Sequence, residues 1–382
     1  MEYRKLGKTN LSVSVIALGC AGFEGRSAGE AAALVDHALK CGVNFIDLFS
    51  SDPELRSNLG AALSGRREKF LIQGHIGSAW IDGQYERTRD LEKTKDAFED
   101  LLTRLDTDYI DVGMIHFVDG EADWNTIVSG PFIEYVKDLK RTGRIRHIGL
   151  SSHNPHIALK AVESGLIDVL MFSVNPCYDM QPGDEDLEKL WADESYAHDL
   201  HNQDAARKRL YERCLSLGVG MDVMKAYGGG DLLNAELSPF QKAFTPVQCI
   251  SYALTRPAAA AVMCGAKDAS ELDAALMYLT ATDAQRDYTG VLSGLDRYTF
   301  SGHCLYCGHC APCPVGIDVA NVTKYLNLCL AQGRAPETER GHYKLLSHHA
   351  SECLECGACE SRCPFGVKVI DNMKKAAEVF GE

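Results

Sequence analysis

With 382 residues, the chain is long enough for one large single-core domain and a small second one. Hydrophobic residues make up 46% and charged residues 24%, as in ordinary globular proteins. The net charge of −14 argues against nucleic acid, whose phosphates need a basic face. No apolar run approaches the ~18 residues of a membrane span. The N-terminal "MEYRKLGKTN" has no apolar stretch behind its positive charges of the kind a secretory signal needs. A cytoplasmic protein is expected, with no membrane contact. Its fifteen cysteines are then thiols or metal ligands rather than disulfides.

In chain order, residues 1–297 alternate short apolar runs with amphipathic ones. The runs are "VSVIALG" (13–19), "NFIDLF" (44–49), "KFLIQG" (69–74), "YIDVGMIHF" (109–117), "IRHIGLS" (145–151), "DVLMFSV" (168–174), "VGMDVMKAY" (219–227) and "AAAAVMCG" (258–265). Helical spacing lies between them, as in Ala97, Phe98, Leu101, Leu102 and Leu105, or in "DASELDAAL", opened by the capping pair Asp268 and Glu271. Eight βα units predict an α/β fold, a (β/α)8 TIM barrel spanning 1–297. The interval 177–207 is too long and acidic for a βα loop and reads as an insertion at the mouth, a candidate lid.

Barrel chemistry sits at the C-terminal ends of the strands. Those ends carry Asp47, His75, His116, Ser151 with His153, Asn175 and Lys225. A lone strand-end histidine is more often structural. Asp47, His75 and His116 come from three consecutive strands, with Asp52 close behind the first, and read together as a functional cluster. Two imidazoles and one or two carboxylates suit acid–base work, or a mononuclear Zn or Fe(II) ion. "AYGGGDL", with Gly228 and Gly229, and "CGAKDASE", with Lys267, follow strands seven and eight, the usual barrel phosphate site.

Near the end of the chain lie "CLYCGHCAPCP" (304–314) and "CLECGACESRCP" (353–364). The second has the C-x2-C-x2-C-x3-C-P spacing of bacterial ferredoxins, in which the fourth cysteine ligates the other cluster. The first is one residue shorter before its last cysteine. The crossed rule assigns Cys304, Cys307, Cys310 and Cys363 to one [4Fe–4S] cluster, and Cys353, Cys356, Cys359 and Cys313 to the other. Thiol–disulfide exchange at "CGHC", structural zinc and disulfide staples explain the paired C-P endings less well. Val322, Tyr325, Leu326 and Cys329 recur at helical spacing, as do Ile370, Met373, Ala377 and Phe380 before Gly381. Residues 298–382 are therefore expected to form a small α-helical, ferredoxin-like two-cluster domain. The remaining cysteines read as buried small hydrophobes.

"MEYRKLGKTNLSVSVIALG", "GVNFIDLF", "TDYIDVGMIH", "GLSSH" and "MKAYGGG" resemble the aldo/keto reductases, and the trailing runs resemble the branch fused to a ferredoxin module. The resemblance implies a barrel and carbonyl reduction by NADPH, with hydride delivered to carbon and a tyrosine protonating the oxygen, assisted by lysine, aspartate and histidine. It places the aspartate on Asp47 and the histidine on His116. The tyrosine position holds Asp52 and the lysine position His75. It places Ser151 and Ser152 at the carboxamide-binding positions and Asn175 near an amide-bearing strand end. The strand's glutamine is replaced by Met171, and the 2′-phosphate cations by Gly265 and Glu271, with Lys267 nearby. NADPH is accordingly expected to bind weakly or not at all; a nicotinamide or flavin nucleotide remains a candidate cofactor.

Three readings follow. The first is an iron–sulfur oxidoreductase that relays electrons through its clusters to or from a small-molecule substrate at the mouth, with a ferredoxin or flavodoxin as a candidate redox partner. The second is a metal-assisted enzyme using Asp47, Asp52, His75 and His116. The third is an electron-transfer or redox-sensing protein on an inactive barrel.

Overall fold

The computed structural model describes residues 1–185, 200–293, 298–299, 302, 304–332, 335 and 337–381. Eight parallel strands close into a barrel: β1 (Ile16–Gly19), β2 (Phe45–Leu48), β3 (Leu71–Ile76), β4 (Ile110–Ile115), β5 (Ile145–Ser152), β6 (Val169–Ser173), β7 (Gly220–Met224) and β8 (Ala259–Cys264). β8 closes the ring on β1, with Val262 opposite Ile16 and Cys264 opposite Leu18. Every residue of β4 and β8 is buried, which is why these strands read as continuous apolar runs rather than alternating ones.

All eight predicted runs supply a barrel strand, but the first is divided. Ser12–Ser14 pairs antiparallel with Tyr3–Lys5, and only Ile16–Gly19 enters the barrel. This hairpin closes the N-terminal end. Leu6 and Val13 are buried in the inner core with Phe45, Val112 and Val169. Arg4 Nη1 donates to the carbonyls of Leu254 (3.0 Å) and Ala259 (3.1 Å). With that end plugged, the C-terminal end of the strands is the open one.

The outer ring consists of α1 (Ala28–Lys40), α2 (Pro53–Leu63), α3 (Leu91–Arg104), α4 (Pro131–Arg141), α5 (Pro155–Glu163), α6 (Ala205–Leu217), α7 (Pro246–Leu254) and α8 (Ala269–Leu276). Their starts are locally encoded. Ser27 and Glu30 form a capping box on α1, and Asp90 and Asp268 cap α3 and α8. Phe98, Leu101 and Leu102 of the predicted 97–105 face are buried. Residues 186–199, the bulk of the predicted insertion and candidate lid, lie outside the described residues. Its described beginning is anchored in the barrel wall: Asp179 is fully buried and accepts hydroxyls from Tyr211 of α6 and Tyr252 of α7.

The C-terminal part is built around α9 (Val319–Gln332) and α10 (Val369–Phe380), the latter ended by Gly381 at φ 77°. α9 packs against α10 and against α6 of the barrel. Leu305, Val322, Leu326 and Met373 belong to the same apolar core as the barrel helices. The predicted boundary after residue 297 falls in a stretch of which residues 294–297 lie outside the described residues. Among the described residues, no helix is long and apolar enough to cross a membrane.

Packing between α2 and the end of α3 leaves no room at Gly60, where a Cβ would lie 1.9 Å from the Arg104 carbonyl oxygen. Gly60→Ala should therefore destabilise the protein by about 1–3 kcal/mol, despite alanine's better helix propensity. A urea midpoint that does not fall in this variant would contradict the close approach.

Candidate active site

The open end of the barrel holds a cavity of about 720 Å³, lined among others by Asp47, His75, Tyr85, His116, Lys225 and Tyr227. Parallel pairing of β2, β3 and β4 brings three of the predicted residues together. Asp47 stands opposite Gln73, and His75, two residues further along β3, opposite Met114, with His116 just past the end of β4.

These side chains form one hydrogen-bonded row. Tyr85 Oη lies 2.7 Å from His116 Nε2. His116 Nδ1 lies 2.7 Å from His75 Nδ1. His75 Nε2 lies 3.0 Å from Asp47 Oδ1. The tautomers follow from the partners. Asp47 accepts, so His75 donates from Nε2 and accepts at Nδ1. His116 then donates from Nδ1, and its Nε2 accepts the Tyr85 hydroxyl. Burial, and then the neighbouring His75, holds the His116 pKa well below its ordinary value, so His116 is a neutral link. Burial also raises the Tyr85 pKa, so the phenol keeps its proton at neutral pH.

Asp52 does not join the row. Its carboxylate caps α2, accepting from Glu54 N (2.8 Å) and Leu55 N (2.9 Å). The expected four-residue cluster is thus a row of three, extended by Tyr85. This arrangement does not favour a mononuclear metal, because both nitrogens of His75 already have partners on opposite sides. Apart from the cysteine runs, and among the described residues, one close group of metal-ligand type lies elsewhere, His37, Cys41 and Asp273 on the barrel's outside, where His37 and Asp273 already pair at 2.6 Å.

Tyr85 comes from a hairpin, Ser78–Ile81 with Gln84–Arg87, inserted after β3 and absent from the sequence reading. The local signal was present. Asp82 and Gly83 take φ of 52° and 81°, the pair of positive angles that a two-residue Asp-Gly turn supplies. Arg89 moors the hairpin's base. Its Nη2 donates to the carbonyl of His116 (2.7 Å), and it pairs with Asp123 (2.7 Å).

Beneath the row, Gln73 Nε2 bridges Asp47 Oδ1 (3.0 Å) and Asp222 Oδ1 (3.3 Å) inside the barrel. Among the described residues, Gln73 Oε1 and Asp222 Oδ2 have no hydrogen-bond partner. Neither residue figured in the sequence reading, since a mid-strand polar residue shows its neighbours only once the barrel closes.

Of the predicted nucleotide-binding residues, Ser151, Lys225, Gly229 and Lys267 line the cavity. Ser151 Oγ accepts from Phe117 N (2.8 Å). Ser152 donates to Asp119 (2.8 Å), and Asn175 caps the short Pro176–Asp179 helix while donating to the Lys225 carbonyl (2.9 Å), so both are engaged in the wall. Burial lowers the Lys225 pKa. Gly228 and Gly229 take φ of 60° and 74°. Met171, Gly265 and Glu271 line the cavity as well, and Glu271 accepts from Lys267 N (2.9 Å), leaving an anionic group at the expected phosphate end.

The cysteines gather around two smaller cavities. Cys304, Cys307, Cys310 and Cys363 line one, and Cys313, Cys353, Cys356 and Cys359 the other. This is the crossed grouping, and four converging thiols are the donor set that a cubane cluster needs. Of the other seven cysteines, only Cys41 is not buried.

The chain belongs to the aldo/keto reductase family, whose model matches residues 15–245, and a 4Fe-4S dicluster domain model matches residues 303–368. It is 30% identical over 286 residues to the uncharacterized oxidoreductase YqkF of Bacillus subtilis, covering 71% of this chain and 89% of that one. Protein tas of Escherichia coli is 27% identical over 180 residues, covering 40% of this chain and 52% of that protein. The solved structure of aldo-keto reductase AKR11C1 from Bacillus halodurans, in its holo form, superposes with a TM-score of 0.59 at 23% identity, covering 75% of this chain and 94% of that one. The protein is an oxidoreductase of aldo/keto reductase type carrying an iron–sulfur dicluster domain.

Burial, and then the charge of Asp47, raises the Asp222 pKa well above the carboxylate range. The folded protein therefore keeps a proton that the unfolded chain loses above about pH 3.9. Stability should fall as pH rises from there toward the folded value. Asp222→Asn removes this contribution. Thermal melts between about pH 5 and pH 8 should show a smaller loss with pH in the variant than in the native protein; equal slopes would contradict a protonated Asp222.

Proposed function

We propose that the mouth cavity interconverts a small carbonyl compound and its alcohol, with Tyr85 as the group that exchanges a proton with the substrate oxygen. The observation that carries this is the continuous row from Tyr85 through His116 and His75 to Asp47. Position 52, where the family resemblance implies a tyrosine, has no phenol, and the 78–87 hairpin supplies one from another direction.

The row moves one proton without moving heavy atoms. As an alcohol is oxidised, its C–H hydrogen leaves with two electrons, as hydride, to a flavin or nicotinamide nucleotide bound in the mouth. Its hydroxyl proton passes to the Tyr85 oxygen while the Tyr85 proton passes to His116 Nε2. His116 Nδ1 releases its proton to His75 Nδ1. His75 becomes an imidazolium against the Asp47 carboxylate, where the charge is compensated. Carbonyl reduction runs the same transfers backwards. The lowered pKa of His116 suits a link that passes charge on rather than storing it.

On this reading the chain divides into a barrel, 1–297, and a cluster module, 298–382. Cys304, Cys307, Cys310 and Cys363 hold an inner [4Fe–4S] cluster, and Cys313, Cys353, Cys356 and Cys359 an outer one. Such clusters, when bound, take up and release single electrons. The inner cluster's loop meets the barrel through Arg256, in the loop before β8, at the end opposite the mouth. A five-residue strand spans about 17 Å, so electrons exchanged with the mouth cross the barrel wall. The exposed Cys356 marks the outer cluster as the side open to a redox partner such as a ferredoxin or flavodoxin. With Glu271 where a 2′-phosphate would lie, tight NADPH binding is not expected.

Tyr85→Phe should lower turnover by about 10²–10⁴-fold with KM little changed. The assay is aldehyde reduction across aliphatic and aromatic aldehydes, with reduced methyl viologen and with NADPH as alternative electron sources. A variant that keeps the native rate would remove Tyr85 from the chemistry. Native protein prepared without oxygen should contain about eight irons. Cys356→Ser should lose the outer cluster and keep the inner one; full iron and sulfide in that variant would overturn the ligand grouping.

A further inference from the structure

Arg256 is a buried cation at the junction between barrel and cluster module. The residue is 2% exposed, and its guanidinium donates from Nη2 to the Leu305 carbonyl (2.7 Å) and to Thr255 Oγ1 (3.0 Å). It stacks on the Tyr252 ring, 4.3 Å from the centroid. The same Leu305 carbonyl accepts the Tyr288 hydroxyl at 3.2 Å. Leu305 lies between Cys304 and Cys307 and lines the inner cavity with them. Among the described residues, no carboxylate forms an ion pair with Arg256. The nearby Asp179 is occupied by the hydroxyls of Tyr211 and Tyr252. Lys324, on α9, is held below its ordinary pKa by burial and then by the charges of Arg4 and Arg256. Arg256 is thus the persistent positive charge behind this loop.

We infer that Arg256, a barrel residue, is the positioning cation that raises the reduction potential of the inner cluster and so makes the two clusters inequivalent. The inference rests on the two-cluster reading above. Reduction adds one electron to a group already made anionic by four thiolates. Burial makes that added charge costly, because the low-dielectric surroundings solvate it poorly. A desolvated guanidinium one carbonyl away lowers the cost, and reduction potentials follow such local charge. His309, which also lines the inner cavity, contributes less, since its Nε2 pairs with Asp287 at 3.0 Å. Among the described residues, no basic side chain lines the outer cavity, and Cys356 there is exposed. Arg362 Nη2 donates to the carbonyls of Cys310 (2.6 Å) and Pro312 (2.7 Å), between the two ligand sets, but Arg362 is exposed, so solvent screens its charge in a way the buried Arg256 escapes.

The test is a redox titration of cluster-loaded protein followed by electron paramagnetic resonance. Arg256→Gln and Arg256→Lys are compared with the native chain, and the Cys356→Ser background identifies the inner cluster. Arg256→Gln should shift the inner cluster's reduction equilibrium at least tenfold toward the oxidised form, about 59 mV for one electron. The outer cluster should stay in place, and Arg256→Lys should keep the native value. Loss of the inner cluster in Arg256→Gln, with retention in Arg256→Lys, supports the same charge requirement. An unshifted inner potential in a fully loaded Arg256→Gln protein overturns the proposal. So does a Lys variant that shifts as far as Gln, or loss of the inner cluster in both. Native protein with only about four irons would instead sink the two-cluster reading on which it rests.

Discussion

The parallel register of β2, β3 and β4 is the constraint on which the site depends. Pairing Asp47 with Gln73, and His75 with Met114, sets Asp47, Gln73 and His75 on the barrel's inner side at graded heights. A one-residue slip of β3 would turn His75 and Gln73 to the outer face and bury their polar atoms among helix side chains. Barrel closure, from β8 onto β1, holds that register, because no strand has a free edge along which to slide. The proton row is therefore a property of the ring, and of no single segment.

On the proposed reading, Tyr85 lets the scaffold keep a proton chemistry while changing its parts. Asp52 is committed to capping α2, which fixes where that helix begins and leaves no phenol at its start. A hairpin tied down through Arg89 to the backbone of β4's end brings a phenol to His116 instead. His75 suits this geometry in a way a lysine would not. An imidazole joins two partners at opposite nitrogens and can both accept and donate, whereas an ammonium only donates.

The junction between barrel and cluster module is built from the same core as the barrel itself. Tyr252 of α7, Arg256 in the loop before β8 and Tyr288 after α8 pack together, and Arg256 and Tyr288 both donate to the carbonyl of Leu305. α9 lies on α6. A cluster loop held by buried side chains of the barrel has a fixed electrostatic environment, which a flexibly tethered module would not. The same arrangement places the 304–310 cysteine loop opposite the mouth, so the distance between the proposed redox and proton chemistry is set by the thickness of the fold.

Much of this was legible in the chain itself. Eight apolar runs, capping residues such as Ser27 and Asp268, and two cysteine runs ending in proline mark the barrel and the module, because each signal is short-range: strand burial, helix-end hydrogen bonds, and ligand spacing. The strand-end position of Asp47, His75 and His116 followed from counting strands. What counting could not supply was which side chains meet. Asp52, five residues after Asp47, turns away because a helix begins there, while Tyr85, thirty-one residues before His116, touches it. Gln73 and Asp222 look like ordinary polar residues in apolar strands until the ring faces them inward together, and Arg256 is one basic residue in a loop until the module folds back onto it. Local spacing encodes elements and ligand sets; contacts across a closed ring, and the burial that turns a charge into a field, exist only once the ring has closed.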